Sequence, residues 1–269
     1  MKSHIKKELS IQISLSGLSF CILNRSDSKI DYLKHIDFKS ILIPETVLEK
    51  LQKTISDDAL LTQPFDAVLV LFQNELSNLV PEALFEENNA ADYLKFSSKI
   101  IKTDFISFDK IEVNKSVNVF VPYVNINNYL FEVYGEFEYK HASTIFLEQI
   151  LETEDNSSDN KMYLNVAPFH FEMAVVKKDK LQLYNTFDYY TKEDFIYFVL
   201  FSIEQLKLDP ENLIIKLSGN IAEDDALYQL LYTYIRHVKF NEPTIKHSYD
   251  EVLDGCSKHR HLLILNSFD

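Results

Sequence analysis

The sequence predicts an α/β protein of two lobes, each opening with a three-stranded antiparallel meander. Three observations predict it. Alternating apolar and polar residues near the start are broken twice by turn signals. The order strand, strand, strand, helix, strand then recurs after residue 160. A polar, acidic segment, Glu152–Asn160, separates the two copies.

A chain of 269 residues, 46% hydrophobic, suffices for one large domain or two smaller ones. No apolar run approaches the roughly 18 residues that span a bilayer. Met1–Ser10 is basic but leads straight into alternation, without the apolar core and small-residue cleavage site of a signal peptide. The expected compartment is therefore the cytoplasm. A formal net charge of -14 repels phosphate backbones, so nucleic acid is not an expected partner. The basic stretches Lys2–Lys7 and Lys177–Lys180 are short and suit a solvated end and a turn. Cys21 and Cys256 are the two cysteines, too few to imply a disulfide framework. Only four glycines occur, Gly17, Gly135, Gly219 and Gly255. Loops that cradle phosphate use glycine so that backbone N–H groups can come close, and this chain has little material for them.

In the first copy, Leu9–Leu15 alternates as a half-buried strand. Ser16-Gly17 marks a turn, and Leu18–Leu23 alternates again, completing a hairpin. Asn24–Ser28 forms a second turn and Ile30–Ile36 a third strand. Val47, Leu48, Leu51 and Ile55 then fall at helical spacing behind Pro44 and Glu45, which suit a first turn. Phe65–Leu71 reads as a buried, parallel-type strand. The middle is less regular. Asn74–Val80 reads as loop, Pro81–Phe85 as a short helix and Ala90–Ser98 as helix. Phe105–Val113, Val117–Val121 and Tyr129–Phe137 read as strands or extended links, and Ser143–Leu151 as helix. The lobes are placed at 1–151 and 161–269.

In the second copy the strands are Met162–Val166, Phe171–Val176 and Leu181–Phe187. Thr191-Lys192-Glu193-Asp194 is a helix-capping signature. Phe195, Val199, Ser202, Ile203 and Leu206 line the helix that follows, which Asp209-Pro210 stops. Asn212–Leu217 is the buried strand and Ser218-Gly219-Asn220 a turn. Asp224–Val238 reads as helix and His261–Leu265 as a last strand.

A meander followed by helix and strand is how ribonuclease-H-like lobes begin. Two in tandem resemble the actin, heat-shock-chaperone and sugar-kinase superfamily, including its pilus-assembly branch. More narrowly, the chain resembles a bacterial domain-of-unknown-function family with an actin-like ATPase fold. The resemblance is carried by the Leu9–Leu23 hairpin, by Val80-Pro81-Glu82-Ala83-Leu84-Phe85 and by Val119-Phe120-Val121-Pro122, in that order along the chain. It implies a fold of two ribonuclease-H-like lobes. That family has no established activity.

In active members of the superfamily two hairpins grip nucleotide phosphates, and the first carries Asp-x-Gly. Here that turn is Ser14-Leu15-Ser16-Gly17, with the Asp absent. The matching turn of the second lobe is Asn165-Val166-Ala167-Pro168-Phe169-His170. It lacks Asp and Gly, and Pro168 has no N–H to offer. Leu217-Ser218-Gly219-Asn220-Ile221 echoes the adenosine-side turn. If a nucleotide binds between the lobes, Ser14, Ser16, Gly17, Ser218, Gly219 and Asn220 are its candidate contacts. Loss of both acidic residues removes the usual hold on a magnesium–phosphate complex. The expectation is therefore a pseudoenzyme: no catalytic residues, no resident metal or cofactor, and a binding or scaffold role toward a protein partner. The alternative is a divergent ATPase or phosphotransferase that uses ATP and magnesium.

The remaining clusters carry less. Cys256, His259 and His261 are grouped as zinc ligands can be, but no second ligand cluster accompanies them and a loop entering a strand explains them. Glu223-Asp224-Asp225 suits a helix start. Asp57-Asp58 and Glu86-Glu87 read as solvated loops. His141, His170 and His247 have no sequence neighbours that make a catalytic set. Gly-x-Ser-x-Gly, Walker A, His-Glu-x-x-His and Gly-x-Gly-x-x-Gly motifs are all absent from the sequence.

Overall fold

The structure is a computed structural model that describes residues 6–95, 100, 104–153, 159–243, 246–249, 253 and 255–268. The chain divides into two compact units. One comprises Met1–Ile145, Ile245–Cys256 and Leu263–Asp269; the other comprises Phe146–Thr244 and Ser257–Leu262.

The first unit opens with β1 (Lys7–Ser14), β2 (Gly17–Asn24) and β3 (Lys29–Asp37), joined as an antiparallel meander. Helix α1 (Pro44–Ser56) follows, with Pro44 in its first turn, where a missing N–H costs nothing. Strand β4 (Ala67–Gln73) then lies parallel to β1. Strand β5 (Ser77–Pro81) and helix α2 (Ala90–Leu94) precede β6 (Ser107–Ile111) and β7 (Ser116–Phe120). The order β5-β7-β6 makes a separate three-stranded antiparallel sheet. Helix α3 (Val124–Tyr134), strand β8 (Glu138–His141) and helix α4 (Ala142–Glu152) follow.

Alternation decides what β1 buries. Leu9, Ile11 and Ile13 pair in register with Ile22, Phe20 and Leu18 of β2, and with Val68, Val70 and Phe72 of β4. That face packs on Val47, Leu51 and Ile55 of α1 and on Ile126 and Leu130 of α3. Burying each such side chain contributes about 1.5–3 kcal/mol relative to leaving it exposed.

The second unit repeats the plan. Strands β9 (Asn160–Val166), β10 (His170–Lys177) and β11 (Lys180–Asp188) form its meander. Helix α5 (Lys192–Gln205) starts at a full capping box, in which Thr191 and Asp194 satisfy each other's backbone N–H groups. Strand β12 (Ile214–Gly219), helix α6 (Ala226–Tyr234) and strand β13 (His237–Phe240) complete it. The sheet order is β11-β10-β9-β12-β13, with β12 parallel to both neighbours. Met162, Leu164, Val166, Phe171, Met173 and Val175 pack beneath Phe195, Val199 and Ile203 of α5.

The C-terminal stretch returns to the first unit. Strand β14 (Ser248–Tyr249) adds to the edge of β3, and the first sheet runs β14-β3-β2-β1-β4-β8. A short helix, α7 (Leu262–Leu265), brings Ile264 and Leu265, with Leu253 and Phe268, onto Cys21, Leu23 and Ile30.

Several expectations are corrected. Tyr129–Phe137 is not extended: Tyr129 to Tyr134 belong to α3, which buries Ile126 and Leu130 four apart and stops at Gly135, whose φ is 76°. Asn74–Val80 contains β5 rather than being all loop, because Ser77–Pro81 pairs with β7. His261–Leu265 is not a strand. It is the end of a 3-10 turn, Lys258–His261, followed by α7. Leu262–Leu265 is buried on every side, so its run of apolar residues carries no period to read. The helix expected at Asp224–Val238 spans only Ala226–Tyr234, and His237 and Val238 belong to β13. The expected helix Ala90–Ser98 is described as far as Leu94, and residues 96–98 lie outside the described residues. So do 154–158 of the Glu152–Asn160 segment. The units divide within α4, between Ile145 and Phe146, rather than at that segment. The C-terminal residues join the first unit because its outer sheet face needs their apolar side chains.

Candidate functional site

The turn between β1 and β2 is closed on itself. The Ser14 hydroxyl donates to Gly17 O at 3.1 Å, accepts from Ser16 N–H at 3.3 Å and lies 3.2 Å from the Ser16 hydroxyl. Its carbonyls are also engaged: Leu15 O accepts from Leu42 N–H at 2.8 Å and Ser16 O from Phe38 N–H at 2.9 Å. Gly17 is required by strand packing, since a Cβ there would stand 2.7 Å from Ile36 O of β3.

The turn between β9 and β10 is closed in a similar way. Ala167 N–H donates to His170 O at 2.9 Å, and Phe169 O accepts from Tyr189 N–H at 3.0 Å. The Tyr189 hydroxyl donates to Ala167 O at 2.7 Å. Burial, and secondarily the charge of Asp225, push that hydroxyl up to about 12, so it stays protonated and donating.

Ser218, Gly219 and Asn220 are brought against the end of β9. Gly219 has a φ of 82°, and a Cβ on it would sit 2.2 Å from Val166 O. Asn220 N–H donates to the same Val166 O at 2.6 Å, and the Asn220 side chain accepts from Arg260. The Ser218 hydroxyl donates to Asn165 Oδ1 at 3.2 Å. From there a buried polar chain runs across the sheet. Asn165 Nδ2 donates to Glu172 Oε2 at 2.7 Å, and the Tyr184 hydroxyl donates to Glu172 Oε1 at 2.8 Å. Glu172 is only 3% exposed. The sequence reading missed this chain. Its signal is polar residues at alternate strand positions, which a solvent-facing strand shows equally.

The structure thus gathers Ser14, Ser16 and Gly17 at one turn of the first unit, and Ser218, Gly219 and Asn220 at one turn of the second. Among the described residues, no group of three or more His, Cys, Asp or Glu is arranged to hold a metal ion. Cys256 is exposed, while His259 is buried, stacked 4.0 Å from the Phe240 ring, with its Nε2 2.8 Å from Ile221 O. Asp225 accepts from Ala222 N–H at 2.7 Å, tying the loop before α6. Asp58 is no solvated loop residue. It accepts from the Tyr32 hydroxyl at 2.6 Å and from Lys34 at 3.0 Å, and these bonds, Tyr32 first, hold its carboxyl below the usual range.

Two further polar sites escaped the sequence. Buried His141 lies with Nε2 3.1 Å from Asn74 O and accepts from Ser143 N–H through Nδ1 at 3.2 Å, which fixes the proton on Nε2. Asp109 of β6 accepts from His141 N–H at 2.8 Å and from the Thr144 hydroxyl at 2.7 Å, supplying an acid at the start of α4. A cavity of about 460 Å³ opens in the first unit beside Glu8, Arg25, Asp66, Phe137, Glu138 and Phe268. It lies at the starts of β1, β4 and β8, the opposite end of the sheet from the Ser14–Gly17 turn. Arg25 there is bound to Glu8 at 2.8 Å and to Phe268 O.

A family model described as "Protein of unknown function (DUF3822)" matches residues 2–238. A crystal structure from Bacteroides thetaiotaomicron VPI-5482, described as a protein with actin-like ATPase fold and unknown function, superposes with a TM-score of 0.78. The two share 22% identity over 88% of this chain and 91% of that one. A PilM–PilN type IV pilus biogenesis complex provides a second likeness, with a TM-score of 0.58 and 13% identity over 95% and 94% of the two chains. No curated protein matches. The fold is that of the actin-like ATPases.

Proposed function

The chain belongs to that family of unknown function, and from this premise we propose that it is a catalytically degenerate protein of actin-like fold. It acts as a binding or scaffold protein for a protein partner in the bacterial cytoplasm. The observation that carries the reading is the pair of closed hairpin turns. The first offers two serine hydroxyls already bonded within the turn, and no carboxylate. The second offers Pro168, without an N–H, and backbone groups already bonded to His170 and Tyr189. A magnesium–phosphate complex needs oxygen ligands and open N–H donors at these positions, and the residues present do not fit it.

Other observations support a protein as the partner. A neighbour of the same fold was solved as a PilM–PilN complex. The net charge of -14 disfavours nucleic acid. No described helix is long and apolar enough to cross a membrane.

Thermal-shift titration with magnesium–ATP tests the reading. A ligand at 100 times its Kd adds about 2.7 kcal/mol to stability, worth roughly 5–10 °C in Tm for a protein of this size. No shift is expected at millimolar ATP. A saturable rise overturns the proposal and favours the alternative, a divergent ATPase or phosphotransferase.

A further inference from the structure

The outer face of α5 carries two large rings that the core does not use. Tyr197 is 58% exposed and Phe201 44% exposed. Their rings lie nearly parallel, 5.9 Å apart, and Tyr197 also touches Phe198, which stacks on Phe187 of β11. The pair is therefore an exposed ledge that adjoins the core through Phe198. Helical spacing sets exposed carboxylates at both ends of it. Glu193 stands four residues before Tyr197, and Glu204 three residues after Phe201. Glu193 meets Lys192 only at 3.9 Å, with both side chains largely exposed. Beside this stripe, α6 packs against α5 and shows Tyr232, 61% exposed, beyond the acidic run Glu223-Asp224-Asp225.

Aromatic faces flanked by carboxylates are complementary to basic side chains. Guanidinium and ammonium groups stack on ring faces and pair with the acids. We propose that the α5 face is a docking surface for a basic segment of a protein partner, with its cations on Glu193 and Glu204 and its apolar stems across Tyr197 and Phe201. The charge pattern chooses this occupant over a second copy, since two such faces would set carboxylate against carboxylate. The two acids stand eleven positions apart along the helix, so the partner's basic residues stand about 16 Å apart. The inference rests on the scaffold reading and names the chemistry of its partner.

The probe is a fluorescently labelled helical peptide with arginines eleven positions apart and leucines between them. Its counterpart has glutamates in place of the arginines. Fluorescence anisotropy at two salt concentrations reads binding. The wild-type protein is expected to bind the arginine peptide and not the glutamate peptide, and more weakly at high salt. Y197S/F201S and E193K/E204K change exposed side chains, and a wild-type circular dichroism spectrum checks their folding. Each is expected to weaken binding about tenfold or more, and E193K/E204K to gain affinity for the glutamate peptide. Absence of binding by the wild type, or binding that both double variants leave unchanged, overturns the proposal. Those results leave the magnesium–ATP titration unmoved, so failure of this docking surface and failure of the scaffold reading are told apart.

Discussion

Replacing Gly219 by alanine tests whether the fold or a ligand demands the glycine. The residue ends β12 at a φ of 82°, where a Cβ would stand 2.2 Å from Val166 O and 2.9 Å from both Val166 N and Asn165 Oδ1. Two costs add. Left-handed backbone costs an L-residue about 1–2 kcal/mol. Forcing a methyl group against the β9 backbone costs about 1–3 kcal/mol more through the shift it imposes. Val166 cannot retreat freely, because its carbonyl also accepts from Asn220 N–H at 2.6 Å. The expected loss is about 2–5 kcal/mol, a large part of the 5–15 kcal/mol that ordinarily holds a protein folded. Gly17→Ala is the comparator. Its Cβ would stand 2.7 Å from Ile36 O, but the backbone there is not left-handed, so only the overlap cost applies. Urea unfolding followed by circular dichroism gives both values from the shift in midpoint at unchanged slope. A Gly219→Ala protein within about 0.5 kcal/mol of wild type, or one more stable than Gly17→Ala, refutes the reasoning.

Other perturbations follow from the polar contacts. Glu172→Ala removes the acceptor of the buried Asn165 Nδ2, and one bond of the half-buried Tyr184 hydroxyl. At about 1–3 kcal/mol per unsatisfied buried group, urea midpoints should fall clearly, and Glu172→Gln should recover part of the loss. Asp58 has its folded pKa depressed by Tyr32 and then by Lys34. Its stabilisation is therefore present above the ordinary carboxylate pKa near 3.9 and is lost as pH falls through the folded value. The gap between wild type and Asp58→Asn should be open at pH 7 and should close below about pH 4; a gap constant with pH contradicts this. Cys21 is fully buried, with its thiol pushed up by desolvation, while Cys256 is exposed. A thiol reagent should modify Cys256 alone in the native protein and both cysteines in denaturant; fast native modification of both refutes that burial.

What the sequence made legible was whatever obeys a period. The two meanders, α1 and α5 were readable because apolar residues recur along each at a fixed spacing, although β2, β9 and β10 are buried on both faces. Leu9, Ile11 and Ile13 announce β1 by alternation, and Thr191 with Asp194 announce α5 by capping chemistry. The failures have physical causes. Leu262–Leu265 is buried all round, and α3 interrupts its apolar positions with asparagines. Strands β8 and β13 are four residues each, too short to show a period. The sites divided along the same line. That Ser14–Gly17 and Asn165–His170 contain no aspartate is visible in one dimension. The Glu172 chain is not, because Asn165, Glu172 and Ser218 meet only when three strands are in register.

The scarcity of glycine has a sharper meaning once its positions are known. Four glycines looked too few for phosphate-cradling loops, yet two of them, Gly17 and Gly219, fall at the turns where the family resemblance implies such loops. A ligand would account for a glycine whose absent side chain faces open space. At Gly17 that space is filled by the Ile36 carbonyl, and at Gly219 by the Val166 carbonyl. Strand packing within each unit therefore suffices to require both, and neither glycine is left as an argument for a nucleotide. Composition alone could not reach this point, since it counts glycines without saying what stands where their Cβ would be. The side-chain candidates Ser14, Ser16, Ser218 and Asn220 are likewise already hydrogen-bonded, each within its own unit. Binding would have to break those contacts before making new ones, which sets the bar that the ATP titration measures.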